Sequence, residues 1–343
     1  MMVRSLIMLI AAVASSVLVT ALVNPIGQAS PQQQYVFAQG STIAAASYVN
    51  TTANATFLPQ IHNYTSLPPG PVNSWIIESK NGVVVIDTQR QLSEGKNVLE
   101  EVKKINKPIL GVIITHPHPD HINGAEALLN GTANVPIYST QSTFDIMKND
   151  KGGLIALSKQ ILGNDYSNQT ILPNNIVKSG KNITIDEITY NFEDIGPGEA
   201  GDMTLIYLPS QKILFTGDVV NNRMHPFLAE GRSSEWIKQI EYIMQNYSDT
   251  EILFPGHGQS GPPKTLLDEQ LNYINTFRSL VEQQQQQMQS AAEVGGENIT
   301  EEGKARIKSE LQSIYPNYIS VATLSNMLDI NIDAVAKEIS QEK

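Results

Sequence analysis

Residues 111–124 read GVIITHPHPDHING, and they place four side chains that can bind metal within six residues: His116, His118, Asp120 and His121. The apolar run 109–115 that leads into them is typical of a buried strand that ends in a turn. A loop of this kind lets imidazoles and a carboxylate converge on two adjacent cations. Three of the chain's six histidines lie here, a concentration that a structural role does not require. The stretch therefore predicts a metalloenzyme.

The pattern His-x-His-x-Asp-His after an apolar strand resembles the signature of the metallo-β-lactamase superfamily. Further motifs of that superfamily follow the expected order: Ile86-Asp87, Phe-Thr-Gly-Asp at residues 215–218, and Phe-Pro-Gly-His-Gly at residues 254–258. The resemblance spans residues 72–261. It implies an α/β fold, the four-layered αβ/βα metallo-β-lactamase sandwich, with residues beyond it forming a C-terminal helical appendage.

The resemblance also implies ligands for two divalent metal ions. The first metal would bind His116 and His118, the second would bind Asp120, His121 and His257, and Asp218 would bridge the two. Family members usually supply the first metal with a third histidine, in a Gly-His-Thr stretch before the bridging aspartate. Here Glu199 occupies that place, within GPGEAGD at residues 196–202.

A glutamate in place of a neutral imidazole adds negative charge around the first metal. A water bound there should be less acidic as a result, and oxygen donors suit harder ions. Zinc is the first expectation, with manganese or iron as alternatives. Three roles stay open for Glu199: a direct metal ligand, an acceptor from a ligating histidine beside a weakly loaded first site, or a residue of a noncatalytic descendant.

The ligands predict the chemistry more directly than they predict the substrate. Two adjacent cations can hold a hydroxide and polarise the electrophile, which drives hydrolysis of an ester, lactone, amide or related bond. Asp120 would orient that hydroxide, so it is the expected catalytic residue. The leading hypothesis is a metal-dependent hydrolase with a small-molecule substrate. The alternative is a hydrolysis-impaired relative that binds metal or ligand and acts as a sensor or interaction protein.

Charge and loop positions limit this hypothesis further. The formal net charge of −11 and the pI near 5.0 argue against a nucleic-acid partner, because phosphate binding depends on clustered lysine and arginine. Specificity is expected in the loops 151–169 and 221–232. His225 either reaches the metals or the substrate, or is a loop histidine bonded to backbone. His62 is assigned no role.

The chain is long enough for one large domain and additional segments. Residues 1–30 contain an uncharged apolar run, which predicts a signal peptide or a membrane anchor and hence an extracytoplasmic protein, secreted or anchored. The absence of cysteine fits such a protein. Residues 31–70 form a polar lead segment, with order expected near Val72. Residues 71–262 form the metallo-β-lactamase-like domain, and residues 263–343 a helical region that caps the cleft or pairs subunits as a homodimer.

Eight Asn-x-Ser/Thr sequons predict a glycoprotein if the host has the machinery: Asn50, Asn54, Asn63, Asn130, Asn168, Asn182, Asn246 and Asn298. Local patterns predict a strand pair around the Asn-Gly turn at residues 81–82 and a hairpin of residues 203–208 and 212–216, which ends just before Asp218. A helix with a serine cap is expected to open at Ser233.

Overall fold

The computed structural model describes residues 58–132, 134–290 and 299–342. The strands are β1 (Gln60–Thr65), β2 (Asn73–Glu78), β3 (Val83–Ile86), β4 (Ile109–Ile113), β5 (Ile137–Ser139), β6 (Asn175–Ile176), β7 (Lys181–Ile185), β8 (Ile188–Asp194), β9 (Thr204–Leu208), β10 (Ile213–Asn221), β11 (Met224–His225), β12 (Ile252–His257) and β13 (Ile319–Ser320). The α-helices are α1 (Leu92–Ile105), α2 (Pro119–Ile122), α3 (Ala125–Leu128), α4 (Gln141–Asn149), α5 (Leu154–Leu162), α6 (Ser233–Asn246), α7 (Pro263–Ser290), α8 (Glu301–Ile314) and α9 (Met327–Glu342).

Two sheets face each other across an apolar core. The first has the strand order β1-β2-β3-β4-β5-β6, and the second has the order β12-β10-β9-β8-β7. Strand β3 shows how the sequence builds this arrangement, because successive side chains of a strand point to opposite faces. Val84 and Ile86 join the core between the sheets together with Phe215, whereas Val83 and Val85 belong to the outer core.

Helices cover the outer face of each sheet. Val98 and Val102 of α1 pack with the outer face of the first sheet, while Trp236 of α6 and Phe277 of α7 pack with the second. Their apolar residues recur at helical spacing, so one face of each helix is buried. The order helix, sheet, sheet, helix confirms the predicted α/β class and the four-layered αβ/βα sandwich.

The C-terminal region folds back onto the sandwich. Helix α7 packs against α6 and α9, and β13 pairs in parallel with β11. The Gln285 amide donates to the Ala336 carbonyl oxygen at 2.8 Å, so α7 continues through the glutamine-rich stretch as a packed helix. This confirms the helical appendage. Of the helices in the described ranges, none is both long and apolar enough to cross a membrane.

Three local expectations need correction. Order begins before Val72, because β1 pairs with β2 along its whole length. This edge strand was not predicted because its sequence, QIHNYT, is largely polar. Strand β10 runs past Asp218, so this residue lies within the strand and follows an irregularity at Gly217. Ser233 does not cap α6, since its hydroxyl donates to Glu338 of α9 at 2.6 Å instead.

Residues 1–57 lie outside the described ranges, and the predictions of a signal or anchor and of glycosylation stay predictions.

Candidate metal centre

The seven residues predicted as metal ligands come together in the structure. They fall into two groups, and the donor atoms within each group lie within 4.8 Å of one another. Asp87 forms a third group of this kind with His116 and His121, one histidine from each of the two. The first group contains His116, His118, Glu199 and Asp218, and the second contains Asp120, His121 and His257. All seven belong to the set that the sequence motifs indicate, so the structure places each of them where two cations could be held.

Asp218 lies between the two groups. Its Oδ2 atom is 3.0 Å from His257 Nε2 and 3.9 Å from His116 Nε2, and its Oδ1 atom is 3.2 Å from His121 Nε2. One carboxylate therefore faces donors of both groups. Gly256 makes this approach feasible, because a Cβ atom on that residue would overlap Asp218 Oδ1. The parallel pairing of β10 with β12 brings Asp218 and His257 together.

The histidine loop folds as its prolines dictate. His118 is extended at the N-cap of the single-turn helix α2, and Pro119 occupies the first helical turn, where its missing N–H costs nothing. Glu199 lies in a tight loop closed by two backbone bonds, from Gly198 N to the Ala200 oxygen at 2.9 Å and from Met203 N to the Gly196 oxygen at 3.0 Å. A glutamate in this loop points inward and is almost fully buried.

The centre contains buried polar atoms that lack hydrogen-bond partners among the described residues. They are His116 Nε2, His121 Nε2, His257 Nε2, Asp218 Oδ1 and both carboxylate oxygens of Glu199. A buried polar atom without a partner costs about 1–3 kcal/mol. Several of them converging in one place, all nitrogen or oxygen donors, fit divalent cations that would complete their coordination.

A second layer of contacts orients the histidines. The Asp87 carboxylate accepts from Thr115 N at 2.9 Å and Thr115 Oγ1 at 2.7 Å, and it lies 2.8 Å from His121 Nδ1. Because Nδ1 of His121 faces Asp87, its Nε2 atom points into the centre. The His257 Nδ1 atom contacts the Pro71 carbonyl oxygen in the same way. Asp87 therefore supports the site, and it does so with a backbone φ of 60°, which is uncommon outside glycine.

Comparison with known proteins agrees with this geometry. The family model described as the metallo-beta-lactamase superfamily matches residues 67–257, which is more than half of the chain. The chain belongs to the metallo-beta-lactamase superfamily. Among solved structures, a metallo-beta-lactamase from Pontibacter korlensis matches with a TM-score of 0.52 and 22% identity over 71% of this chain and 99% of that one, which supports the fold.

Two characterised relatives indicate the range of the superfamily. A linear primary-alkylsulfatase from Pseudomonas sp. (strain ATCC 19151) is 24% identical over 230 residues, 57% of this chain and 43% of the relative. A metallo-beta-lactamase type 2 from Bacillus sp. (strain 170) is 30% identical over 201 residues, 57% of this chain and 70% of the relative. The chain thus spans less than half of the alkylsulfatase. At the level of the superfamily, the prediction of a metal-dependent hydrolase is confirmed.

Several side chains of the centre have pKa values shifted from their ordinary ranges. Burial lowers the pKa of Asp218's partner His116. Burial also acts to lower the pKa of His121, but the carboxylates of Asp218 and Asp87 outweigh it and hold that pKa well above its ordinary value. Burial raises the pKa of Glu199. In the absence of metal ions, protons on the histidines balance the negative charge of the carboxylates. Divalent cations would displace these protons and balance the same charge.

Arg90 and Glu230 are two site residues that the sequence motifs did not indicate. Arg90 Nη2 lies 3.0 Å from Asp120 Oδ2 and donates to the Val321 carbonyl oxygen at 2.8 Å. Glu230 Oε1 lies 3.1 Å from His118 Nε2, while the Nδ1 atom of His118 lies 3.0 Å from Glu199. The loop 221–232 that holds Glu230 was expected to affect specificity, but its contact with a ligand was not expected.

His225 does not join the metal centre. Its Nδ1 atom lies 2.7 Å from the Tyr273 hydroxyl oxygen, and its ring packs against Tyr273 and Tyr318. Burial lowers the pKa of His225 to about 4, so it is neutral at physiological pH. Of the two roles considered for it, the structural one is supported, with a tyrosine rather than backbone as its partner. Trp236 likewise lies in the core, with its indole N–H donating to the Val219 oxygen at 2.9 Å.

A cleft opens beside the ligands. It is small, with a volume of about 80 Å³. Side chains of His118, Asp120, Glu199 and Asp218 form its inner end. The C-terminal segment 321–324 contributes to its wall, so the appendage borders the site.

Proposed function

We propose that this protein is an exported hydrolase that uses two divalent metal ions to cleave an ester, lactone, amide or related bond in a small molecule. The observation that carries this proposal is the convergence of two donor groups on one shared carboxylate, Asp218, at the inner end of a cleft. The cleft that opens onto these residues is small, which favours a small molecule over a macromolecule as the substrate. Export through residues 1–30 rests on the apolar run there.

The donor groups suggest which residues would hold each cation. The first would bind His116, His118 and Glu199, the second would bind Asp120, His121 and His257, and Asp218 would contact both. Direct ligation by Glu199 is supported by its buried carboxylate, in which Oε1 has no hydrogen-bond partner in the described residues and Oε2 lies 3.0 Å from Nδ1 of His118. Zinc suits imidazole and carboxylate donors, and the three carboxylates would also accept manganese or iron.

The chain's own groups contribute to catalysis in separate ways. Divalent cations at these positions would supply Lewis acidity toward the substrate oxygen and would make a water molecule more acidic. Asp120 borders the cleft and is held by Arg90, which fixes the direction in which its carboxylate can accept a hydrogen bond from the nucleophile. Asp87 and the Pro71 carbonyl hold His121 and His257 in one orientation.

Turnover and metal content, measured on the same sample, test the proposal. The purified protein is stripped with a chelator, reloaded with zinc, manganese or iron, and assayed on carboxylic esters, lactones, amides, β-lactams, sulfate esters and phosphodiesters. We expect hydrolysis of at least one class, lost on chelation and restored by metal. Full metal loading without turnover on any class would contradict the hydrolase and favour a metal-binding sensor.

Glu230 provides a prediction about how His118 is positioned. In Glu230→Gln, the partner of His118 Nε2 loses its charge, so His118 is held less firmly toward the first cation. Changes in such supporting carboxylates weaken metal binding by about 10–100-fold. Competition with a chromophoric chelator should show this loss for one of the two ions. Glu235→Gln, an exposed residue on α6, is the matched control. Equal affinities in both variants would rule out the positioning role.

A further inference from the structure

Helix α5 exposes apolar side chains along the cleft. It has the sequence LIALSKQIL, and none of its residues is buried. Leu157 is 41% exposed and Ile161 is 49% exposed, and both line the cleft. Residues four apart lie on the same face of a helix, so the two side chains form one stripe. Leaving such a stripe open to water is unfavourable unless something covers it.

A second part of the cleft lining is also apolar. Phe227 packs edge-on against the His118 ring, with 5.6 Å between the ring centroids. The C-terminal segment adds Val321, Ala322 and Leu324 beside it. These residues belong to one apolar cluster, which therefore extends from the predicted metal ligand His118 to the segment 321–324. The apolar surface is continuous with the reactive end of the cleft, which identifies a substrate, not a partner protein, as its occupant.

The cleft offers no free cation to a charged group on the substrate. Among the described residues that line it, Arg90 is the one lysine or arginine. Its guanidinium already contacts Asp120 and donates to the carbonyl oxygens of Gly70 and Val321 at 2.7 and 2.8 Å. A charged group far from the scissile bond would thus lie against apolar walls without a counter-charge, which is costly. A hydrocarbon group in the same position needs no counter-charge and does not incur this cost.

We infer that the cleft binds the hydrocarbon portion of an amphiphilic substrate between α5 and the segment 321–324, with the hydrolysable polar end at the metal centre. This inference rests on the proposed function and names its substrate class: esters with a chain of several carbons. Leu157 and Ile161 act as specificity-determining residues on one side, and Phe227 and Leu324 act on the other. The C-terminal appendage then completes the binding site.

Two substrate series test the inference: carboxylic esters from acetyl to octanoyl, and sulfate esters from ethyl to octyl. Each methylene that enters the cleft should raise kcat/KM, by up to about fourfold, until the chain reaches the end of the walls. The double variant Leu157→Ser/Ile161→Ser should flatten this dependence, so that kcat/KM no longer rises with chain length. The matched control is Ile176→Ser/Ile314→Ser, two isoleucines of similar exposure (41% and 51%) that do not line the cleft.

Ligand binding without turnover separates this inference from the proposed function. Calorimetry on the metal-loaded protein should show that 1-octanol binds at least about tenfold more tightly than 1-butanol, and that the double variant loses the difference. Equal binding of the two alcohols, or an unchanged preference in the variant, would overturn the inference even if esters are cleaved. A strong preference for octanol in a protein that cleaves nothing would support the apolar site and contradict the hydrolase.

Discussion

Replacing Asp218 by alanine is expected to lower kcat/KM by about a thousandfold or more, because charge stabilisation worth several kcal/mol is lost and each 1.36 kcal/mol corresponds to a factor of ten. The reason lies in its position. Its two oxygens lie within 3.9 Å of Nε2 atoms of His116, His121 and His257, so one carboxylate faces donors of both groups. Without it, the cations would lose their shared ligand.

Steady-state kinetics on the metal-reloaded protein measure this loss, with circular dichroism to establish that the fold persists. Asp218→Asn is the companion variant, since it keeps the volume of the side chain and removes the charge. Asp249→Ala serves as the control, because that carboxylate pairs with Tyr207 and is not among the ligands. Wild-type turnover in folded Asp218→Ala protein would refute the assignment of the centre.

Replacing Glu199 by glutamine should reduce the tightly bound metal from two equivalents to about one, with a fall in kcat/KM of two orders of magnitude or more. The amide keeps the shape of the side chain but binds cations poorly, and the first site would retain only His116 and His118 as its own ligands. Metal analysis after equilibrium dialysis against a weak chelator measures the stoichiometry directly.

Glu199→His is the matched control for this experiment. It introduces the histidine that the superfamily usually has at this position, so the variant should again bind two equivalents. Two equivalents at unchanged affinity in Glu199→Gln would show that Glu199 only supports His118 from outside the coordination shell. Their 3.0 Å contact is compatible with that role as well.

The predicted metal ligands could be identified from sequence because they are close together in the chain or belong to recognisable motifs. Four of them occur within residues 116–121, and Asp218 and His257 belong to motifs that lie on the buried strands β10 and β12. Parallel pairing then brings the carboxyl ends of such strands together, so a residue after one strand is expected near a residue after the next. Glu199 was identified by its position in a motif, although its exact role was left open.

The supporting residues were not predictable, because their contacts join distant parts of the chain. Glu230 reaches His118 across 112 residues, and Arg90 reaches Val321 across 231. Neither has a local pattern that marks it. The prediction of a serine cap at Ser233 was wrong for the same reason, because its hydroxyl and backbone N–H donate to Glu338 of α9. The wall formed by the segment 321–324 also depends on tertiary packing of the appendage.

Anomalous X-ray diffraction at the zinc edge, on crystals of the zinc-loaded protein, would locate the ions themselves. We expect two peaks about 3.5–4 Å apart. One should contact His116, His118 and Glu199, the other should contact Asp120, His121 and His257, and Asp218 should lie between them. Zinc-loaded crystals without an anomalous peak inside this cluster, or with their ions bound by other residues, would contradict this expectation.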